Sequence, residues 1–199
     1  MSSFTYKTIS ESGTALYKDR GSRFLGYAYP VQRAEEIKQY VQALKEEHPK
    51  AVHYCYAYRL DTEGQLFRTA DDGEPSGSAG KPILSQIDSL SLSKVLVVVV
   101  RYFGGTLLGV PGLIQAYKQA ARMALEQSAQ ITLQKEKILT LSFPYETMND
   151  VMRVIRSMQL QHDAPVTGLF CQLTIYIPLL QWEEACSKFN TLQHVETVK

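Results

Sequence analysis

The sequence feature that most constrains the fold is the run VLVVVVRYF at residues 95–103. Its apolar residues do not alternate with polar ones, whereas a strand with one solvent-exposed face alternates between the two. A strand without alternation is typical of the centre of a sheet that is covered on both faces. The run therefore predicts a central strand between two layers, and a fold that combines a sheet with helices.

A second strand is predicted at AVHYCYAYRL, residues 51–60, where the side chains do alternate. One side of this strand carries large residues and the other carries small or polar ones. The first set is Val52, Tyr54, Tyr56, Tyr58 and Leu60, and the second is His53, Cys55, Ala57 and Arg59. Short strands joined by a turn are expected between residues 15 and 29, around Gly21 and Gly26.

Helices are predicted where apolar residues recur at spacings of three and four. The first begins after Val31 and ends at His48-Pro49, and the second follows the RYFGG segment. Their apolar stripes are Ala34, Ile37, Val41 and Leu44 in the first, and Leu113, Ala116, Tyr117, Ala120 and Ala124 in the second.

The pattern of residues along the chain changes near Gln134, where we place a domain boundary that separates residues 1–134 from residues 135–199. The second part reads as strand, helix, two strands, helix and strand, which is the ferredoxin-like βαββαβ order. Its segments are ILTLSF, a helical stripe from Met148 to Met158, a possible strand near 162–167, LFCQLTIYIP, LLQWEEACSKF and HVETVK. The predicted fold class is thus α+β with two domains.

Composition limits the function classes. The longest apolar run, residues 95–100, is far shorter than the roughly 20 residues that span a bilayer, and residues 1–10 lack a secretory signal pattern. Three cysteines without C-x-x-C spacing argue against a disulfide framework and favour a reduced cytoplasm. The net charge of +1 supplies no global field for a polyanion, so any nucleic-acid contact must be local. We expect neither membrane association nor sequence-specific DNA binding, and the oligomeric state stays open.

Two glycine-rich loops flank these central strands and hold most of the candidate site. The first, TADDGEPSGSAGKP, spans residues 69–82, and the second, RYFGGTLLGVPG, spans residues 101–112. Neither fits a Walker loop or a dinucleotide fingerprint. The first loop allows three interpretations: turn chemistry in which Asp side chains cap backbone N–H groups, a backbone nest for an anion, and a Mg²⁺ site.

The metal interpretation depends on Asp71, Asp72 and Glu74, with Mg²⁺ as the only cofactor that the sequence suggests. Beside a phosphate, these carboxylates would need cationic partners, for which Arg68, Lys81 and Arg101 are the candidates. His53 is expected to project toward the glycine loops as a hydrogen-bond donor. The candidate binding residues are His53, Arg68, Asp71, Asp72, Gly73, Glu74, Ser76, Gly77, Ser78, Gly80, Lys81, Arg101, Tyr102, Phe103, Gly104, Gly105, Gly109 and Gly112.

Three segments in this order and spacing closely resemble the signature of the YigZ/IMPACT family: AVHYCYAYRL, DDGEPSGSAGKPIL and VVVVRYFGGTLLGVPGLIQAY. The resemblance spans nearly the whole chain. It implies an N-terminal α/β sandwich like the second domain of ribosomal protein S5 and a ferredoxin-like C-terminal domain. Eukaryotic family members restrain the starvation-responsive initiation-factor kinase with the help of an extra domain. Bacterial members are suspected of binding nucleic acid or a translation component.

The sequence departs from the family pattern F-G-G-x-K-L-G-x-G-G-L-x-R-A-Y at three positions. Leu107 replaces the lysine, Pro111 replaces a glycine and Gln115 replaces the arginine. Each cation that contacts a phosphate contributes about one unit to the salt dependence of nucleic-acid binding, so losing two would weaken such binding.

Two functions follow as hypotheses. The resemblance implies a non-catalytic, translation-associated regulator that binds RNA, the ribosome or a translation factor through the glycine-rich loop surface. The alternative is a small Mg²⁺-dependent enzyme that acts on a phosphorylated or nucleotide substrate, with the carboxylates of the first loop beside an anion cradle.

Overall fold

The run at residues 95–103 forms the central strand of a five-stranded sheet in the computed structural model, which describes residues 4–198. The sheet order is β2-β3-β6-β4-β5, and every neighbouring pair is antiparallel. The elements up to residue 134 are β1 (Thr5–Ile9), β2 (Gly13–Asp19), β3 (Ser22–Pro30), α1 (Ala34–Glu47), β4 (His53–Arg59), β5 (Phe67–Ala70), α2 (Gly80–Ser89), β6 (Val95–Tyr102), α3 (Gly109–Glu126) and β7 (Gln130–Gln134). Strands β1 and β7 form a separate two-stranded sheet.

Strand β6 is buried on both faces, as its sequence predicts. Residues 95–100 are each 0% exposed. Val95, Val97 and Val99 pack in one core with α2 and α3, while Leu96 and Val98 pack in a second core with α1. Apolar residues are needed at every position because each face of the strand meets a helical layer.

The alternation of the 51–60 segment is confirmed in β4. The small residues Cys55 and Ala57 belong to the core beneath α2 and α3, whereas the tyrosines pack on the opposite core. In the register of the sheet, His53 of β4 lies directly opposite Arg101 of β6. Side chains of directly opposite residues point to the same face of a sheet, and this pairing positions the candidate site.

The chain divides into two compact units. One runs from Tyr6 to Leu133, and the other begins at Gln134 and includes the described residues that precede Tyr6. Among residues 4–198, no helix combines the length and the apolar content needed to cross a membrane.

The second unit has the ferredoxin-like order that its sequence predicts. Its elements are β8 (Glu136–Phe143), α4 (Met148–Met158), β9 (Gln161–His162), β10 (Cys171–Pro178), α5 (Trp182–Asn190) and β11 (Glu196–Val198). Its sheet order is β11-β8-β10-β9. Alternate residues of β8 and β10 enter a core with both helices, among them Leu141, Phe143, Leu173 and Ile175. The final residue of HVETVK lies outside the described part of the chain.

Candidate functional site

A buried ion pair forms the centre of the candidate site. Arg101, near the end of β6, donates from Nη1 to Glu74 Oε1 at 2.5 Å, and the two side chains are 6% and 3% exposed. The Arg101 guanidinium also lies near the rings of Phe24 and Phe103, 5.4 and 5.6 Å from their centroids. A buried charge requires a partner, and these two residues supply one another's counter-charge.

Tyr117 of α3 completes this cluster. Its hydroxyl donates to Glu74 Oε1 at 2.8 Å. Burial raises the pKa of Tyr117 well above its ordinary value, and the neighbouring Cys55 and Glu74 raise it further, so the hydroxyl keeps its proton. Glu74 thus joins the loop after β5 to both β6 and α3.

Cys55 lies in the same core and is fully buried. Its thiol donates to the backbone oxygen of Asp71 at 2.9 Å and lies 3.3 Å from the Tyr117 hydroxyl. Burial raises the pKa of Cys55 far above its usual range. The nucleophilic form of a cysteine is the thiolate, so these contacts give Cys55 a packing role.

Asp71 holds the first glycine loop together. Its carboxylate accepts hydrogen bonds from the backbone N–H groups of Gly77, Ala79 and Gly80 at 2.8, 3.0 and 2.8 Å. Burial opposes ionisation of this carboxyl, but the three N–H donors and the charge of Lys81 outweigh it and lower the pKa of Asp71. The loop is therefore closed around an ionised side chain.

Asp72 and His53 fasten the other side of this loop to β4. The Asp72 carboxylate accepts from the backbone N–H of Tyr54 at 2.7 Å. His53 Nδ1 donates to the backbone oxygen of Asp72 at 2.7 Å. His53 thus reaches the glycine loop as a donor, the role that the sequence suggests for it.

The backbone of this loop uses the left-handed region at three positions. The φ angles are +44° at Asp72, +88° at Gly73 and +75° at Gly77. Asp and Gly are the residues that adopt this region most readily. Together with the capped N–H groups, these angles match the turn-chemistry interpretation of the loop.

The carboxylates of Asp71, Asp72 and Glu74 do not converge on a shared cation site. Asp71 faces backbone N–H groups, Asp72 faces Tyr54, and Glu74 faces Arg101 and Tyr117. Among the described residues 4–198, no group of three or more His, Cys, Asp or Glu side chains is arranged to hold a metal ion. The residues proposed for Mg²⁺ therefore do not fit that ion.

The second glycine loop is held by close backbone packing. A Cβ atom on Gly104 would lie 1.9 Å from the carbonyl carbon of Gly21, so only glycine fits. The N–H of Gly104 donates to Ser22 Oγ at 3.1 Å. Gly105 and Gly109 have φ angles of +84° and +70°, which lead the chain out of β6 and into α3.

A pocket of about 440 Å³ lies between the two glycine loops. Polar side chains of the pocket come from three residues, His53, Glu74 and Arg101, and most of its lining is apolar. The apolar lining comprises Val52, Pro75, Phe103, Leu107, Leu108, Val110 and Leu113, with Gly109 between them. We refer to this feature as the loop pocket.

Four apolar side chains of the loop pocket are exposed. Leu107 is 82% exposed, and Val52, Phe103 and Val110 are each close to half exposed. Leu107, Pro111 and Gln115, the three departures from the family pattern, are all exposed. The rim is therefore apolar where the family pattern places a cation.

The structure brings only part of the candidate set into the loop pocket. His53, Glu74, Arg101, Phe103 and Gly109 line it. Eight others belong to the two loops and shape their backbones: Asp71, Asp72, Gly73, Gly77, Ser78, Gly80, Gly104 and Gly105. Three more, Ser76, Lys81 and Gly112, are close to these in the chain but do not line the pocket. Arg68 and Tyr102 lie elsewhere.

Tyr102 and Arg68 lie away from the pocket for clear reasons. Tyr102 follows Arg101 directly, so its ring packs on the opposite core, where its hydroxyl pairs with His48 at 3.0 Å. Arg68 is exposed on the edge strand β5, opposite Tyr58.

Sequence reasoning missed Tyr117 and the apolar walls of the pocket. Tyr117 was assigned only to the packing stripe of α3, although it is the one large polar residue among Ala116, Ala120 and Ala124. Leu107 and Val110, apolar residues within two positions of Gly109 in a glycine-rich loop, were the available signal for an apolar rim.

Comparison with known proteins agrees with this architecture. The family model described as the Impact N-terminal domain matches residues 20–125. A protein from Thermus thermophilus, "IMPACT family member in pol 5'region", is 39% identical over 70% of this chain and 75% of its own. The Bacillus subtilis (strain 168) protein "IMPACT family member YvyE" is 32% identical over 78% and 71%.

A solved structure described as a "Crystal structure of an hypothetical protein" superposes on this chain with a TM-score of 0.80. It is 27% identical in sequence, and the match covers 98% of both chains. With the family model and relatives above 30% identity in agreement, this chain belongs to the IMPACT family.

Proposed function

We propose that this protein is a non-catalytic, translation-associated regulator that binds a protein component of the translation machinery, a translation factor or a ribosomal protein, through the rim of the loop pocket. The observation that carries this proposal is the apolar rim of the pocket, with Leu107 82% exposed beside the half-exposed Phe103 and Val110. Exposed apolar clusters around a concavity are typical of protein-binding sites. Membership of the IMPACT family, whose eukaryotic members act on an initiation-factor kinase pathway, supports the link to translation.

The state of the polar groups favours binding over catalysis. Cys55 and Tyr117 are buried and keep their protons. Asp71 and Glu74 are bound to groups of the protein itself. A general base or nucleophile must reach the proton or atom that it acts on, and these side chains are turned toward other groups of the protein.

The distribution of cations favours a protein partner over RNA. Arg101, the cation inside the loop pocket, is neutralised by Glu74 and is 6% exposed on its side chain. Leu107 of the pocket lining stands where the family pattern has a lysine, and Gln115, outside that lining, stands where the pattern has an arginine. Affinity for RNA depends on exposed Lys and Arg near phosphates, which the rim lacks.

The test is co-sedimentation of the purified protein with intact ribosomes and with free ribosomal RNA across a salt series, alongside pull-downs with purified translation factors. We expect binding to ribosomes or to one factor that persists as salt rises, because apolar contacts are not screened. Leu107→Glu should abolish it. Leu180→Glu is the matched control, since Leu180 is 72% exposed in the other unit.

RNA binding would give the opposite pattern. Free ribosomal RNA would then bind as well as ribosomes do, binding would fall steeply with salt, and Leu107→Lys would strengthen it. That pattern, or no association with ribosomes, RNA or factors at low salt, would contradict the proposal.

A further inference from the structure

The polar floor of the loop pocket contains one hydrogen-bond acceptor that faces the cavity, the Nε2 atom of His53. His53 Nδ1 carries a proton, because it donates to the Asp72 carbonyl at 2.7 Å and a carbonyl cannot donate. In the neutral imidazole, Nε2 is then an acceptor. It lies 3.8 Å from Glu74 Oε1, which is too long for a hydrogen bond, and that oxygen already accepts from Arg101 and Tyr117.

This acceptor suits a donor from outside. A donor atom that enters the pocket can lie about 3 Å from His53 Nε2. His53 lines the loop pocket, and its side chain is 23% exposed. The floor therefore offers the His53 acceptor to a group that enters through the apolar rim.

The charge of the floor selects a neutral donor. Glu74 is already paired with Arg101, and both are buried. An ammonium or guanidinium group that entered the pocket would lose its hydration without gaining an unpaired counter-charge, which is costly. A hydroxyl or an indole N–H does not carry this cost.

The size and walls of the pocket favour an aromatic ring as the main part of its occupant. The volume of about 440 Å³ lies within the roughly 300–1,000 Å³ range of ligand pockets, and a short side chain such as serine would leave it mostly unfilled. Phe103, Leu108 and Leu113 provide apolar walls, with an aromatic ring among them. Aromatic side chains with a polar tip are the usual anchors in pockets with apolar sides and a wet or polar end.

We propose that the loop pocket recognises a neutral hydrogen-bond donor carried on an aromatic ring, and that its occupant is a tyrosine or tryptophan side chain of the partner protein. That the occupant comes from a partner protein rests on the proposed function. The donor's contact with His53 Nε2 rests on the pocket floor alone. The occupant's ring lies against Phe103 and Leu113, and its donor reaches the floor.

The test uses the ¹⁵N-labelled full chain and three soluble probes: N-acetyl-tyrosinamide, N-acetyl-tryptophanamide and N-acetyl-phenylalaninamide. The phenylalanine derivative has an aromatic ring without a donor and is the matched control. We expect the tyrosine or the tryptophan derivative to shift the backbone amide signals of Val52, His53 and Leu113. Its affinity should exceed that of the phenylalanine derivative by about tenfold, the effect of one buried hydrogen bond.

Two variants separate the floor from the rim. His53→Leu should remove the preference for a donor while the phenylalanine derivative still binds. Val110→Glu, which changes the rim and leaves the floor intact, should weaken all three probes alike. If His53→Leu fails to fold, the Val110→Glu variant and the probe comparison in the unchanged protein still decide the question.

Equal affinities for the three probes, or no shift at these amides with any probe, would overturn the proposal. Either result is distinguishable from failure of the proposed function, because ribosome and factor binding by the Leu107→Glu variant is a separate readout. A pocket that binds all three probes equally while Leu107→Glu abolishes partner binding would retain apolar docking and exclude donor recognition.

Discussion

The two glycine-rich loops of the N-terminal unit differ in where their side chains point. In the first loop, the carboxylates of Asp71, Asp72 and Glu74 all turn inward to groups of the protein itself. In the second, Leu107 and Val110 turn outward into solvent. The acidic loop that looks most like a chemical site is thus a scaffold, and we propose that the apolar loop beside it provides the surface for recognition.

This contrast has a physical basis. Carboxylates can satisfy backbone N–H groups in a tight turn that has no regular ladder of hydrogen bonds, so a loop rich in Asp and Gly can be rigid. Apolar side chains gain nothing from solvent and persist on a surface where a partner covers them. The composition of a loop therefore does not by itself show which of the two roles it has.

The largest expected effect concerns the ion pair that joins the scaffold to the sheet. Arg101→Met leaves the Glu74 carboxylate buried without its counter-charge and should lower the free energy of unfolding by about 3–5 kcal/mol. The double variant Arg101→Met/Glu74→Leu should recover most of this loss, since it removes both charges. Urea unfolding measures both. Losses that simply add in the double variant would show that the pair does not couple the loop to the sheet.

The scaffold role of the first loop predicts unequal effects for its two adjacent aspartates. Asp71 accepts three backbone N–H hydrogen bonds and Asp72 accepts one. Asp71→Ala should therefore cost about 2–4 kcal/mol of unfolding free energy, and Asp72→Ala about 1 kcal/mol. The comparison is made by urea unfolding of the two variants. Equal losses would mean that the loop is not closed around Asp71.

The dependence of the unfolding free energy on pH in the acidic range should report the ionisation of Asp71. Because the folded-state pKa of Asp71 is lowered, the unfolded chain binds more protons at low pH and stability rises with pH. The contribution is fully present above the ordinary Asp pKa of about 3.9 and is lost as the pH falls through the lowered value. Unfolding free energies measured from pH 6 to pH 2 should fall less steeply in Asp71→Asn. If this variant showed the same loss of unfolding free energy between pH 6 and pH 2 as the unchanged protein, the lowered pKa of Asp71 would be contradicted.

The smallest effect on stability is expected in the second loop. Leu107 is 82% exposed, so Leu107→Glu should change the unfolding free energy by no more than about 0.5 kcal/mol. The same variant should abolish binding to the translation component. Thermal melts and co-sedimentation of one preparation measure both properties. A large loss of stability would assign Leu107 to the scaffold and remove the contrast between the loops.

Much of the fold could be predicted from local patterns. The unbroken run at 95–100 predicts a strand covered on both faces, and the alternation at 51–60 predicts which of its own side chains share a face. These predictions succeed because periodicity depends only on neighbours along the chain. The ferredoxin-like order of the second unit follows from the same kind of pattern.

The site could be predicted only in part, because its contacts join residues far apart in the sequence. Glu74 meets Arg101 across 27 positions and Tyr117 across 43. Three closely spaced carboxylates allowed a metal site as one of three interpretations of the sequence, but in the structure each of them has a separate partner. The candidate Arg68 could not be separated from Arg101 by composition, and only the sheet register distinguishes an exposed edge residue from a buried central one.

By itself, the sequence determined the strands at residues 51–60 and 95–103, which side chains share a face, where the backbone turns and which family the chain resembles, since all of these depend on local spacing and residue type. Only the tertiary structure decided that the carboxylates of the acidic loop bind groups of the protein itself and that an apolar pocket opens beside it. The physical reason is that the free energy of a charge depends on what surrounds it. For Glu74, those surroundings are residues that only folding brings within hydrogen-bonding distance.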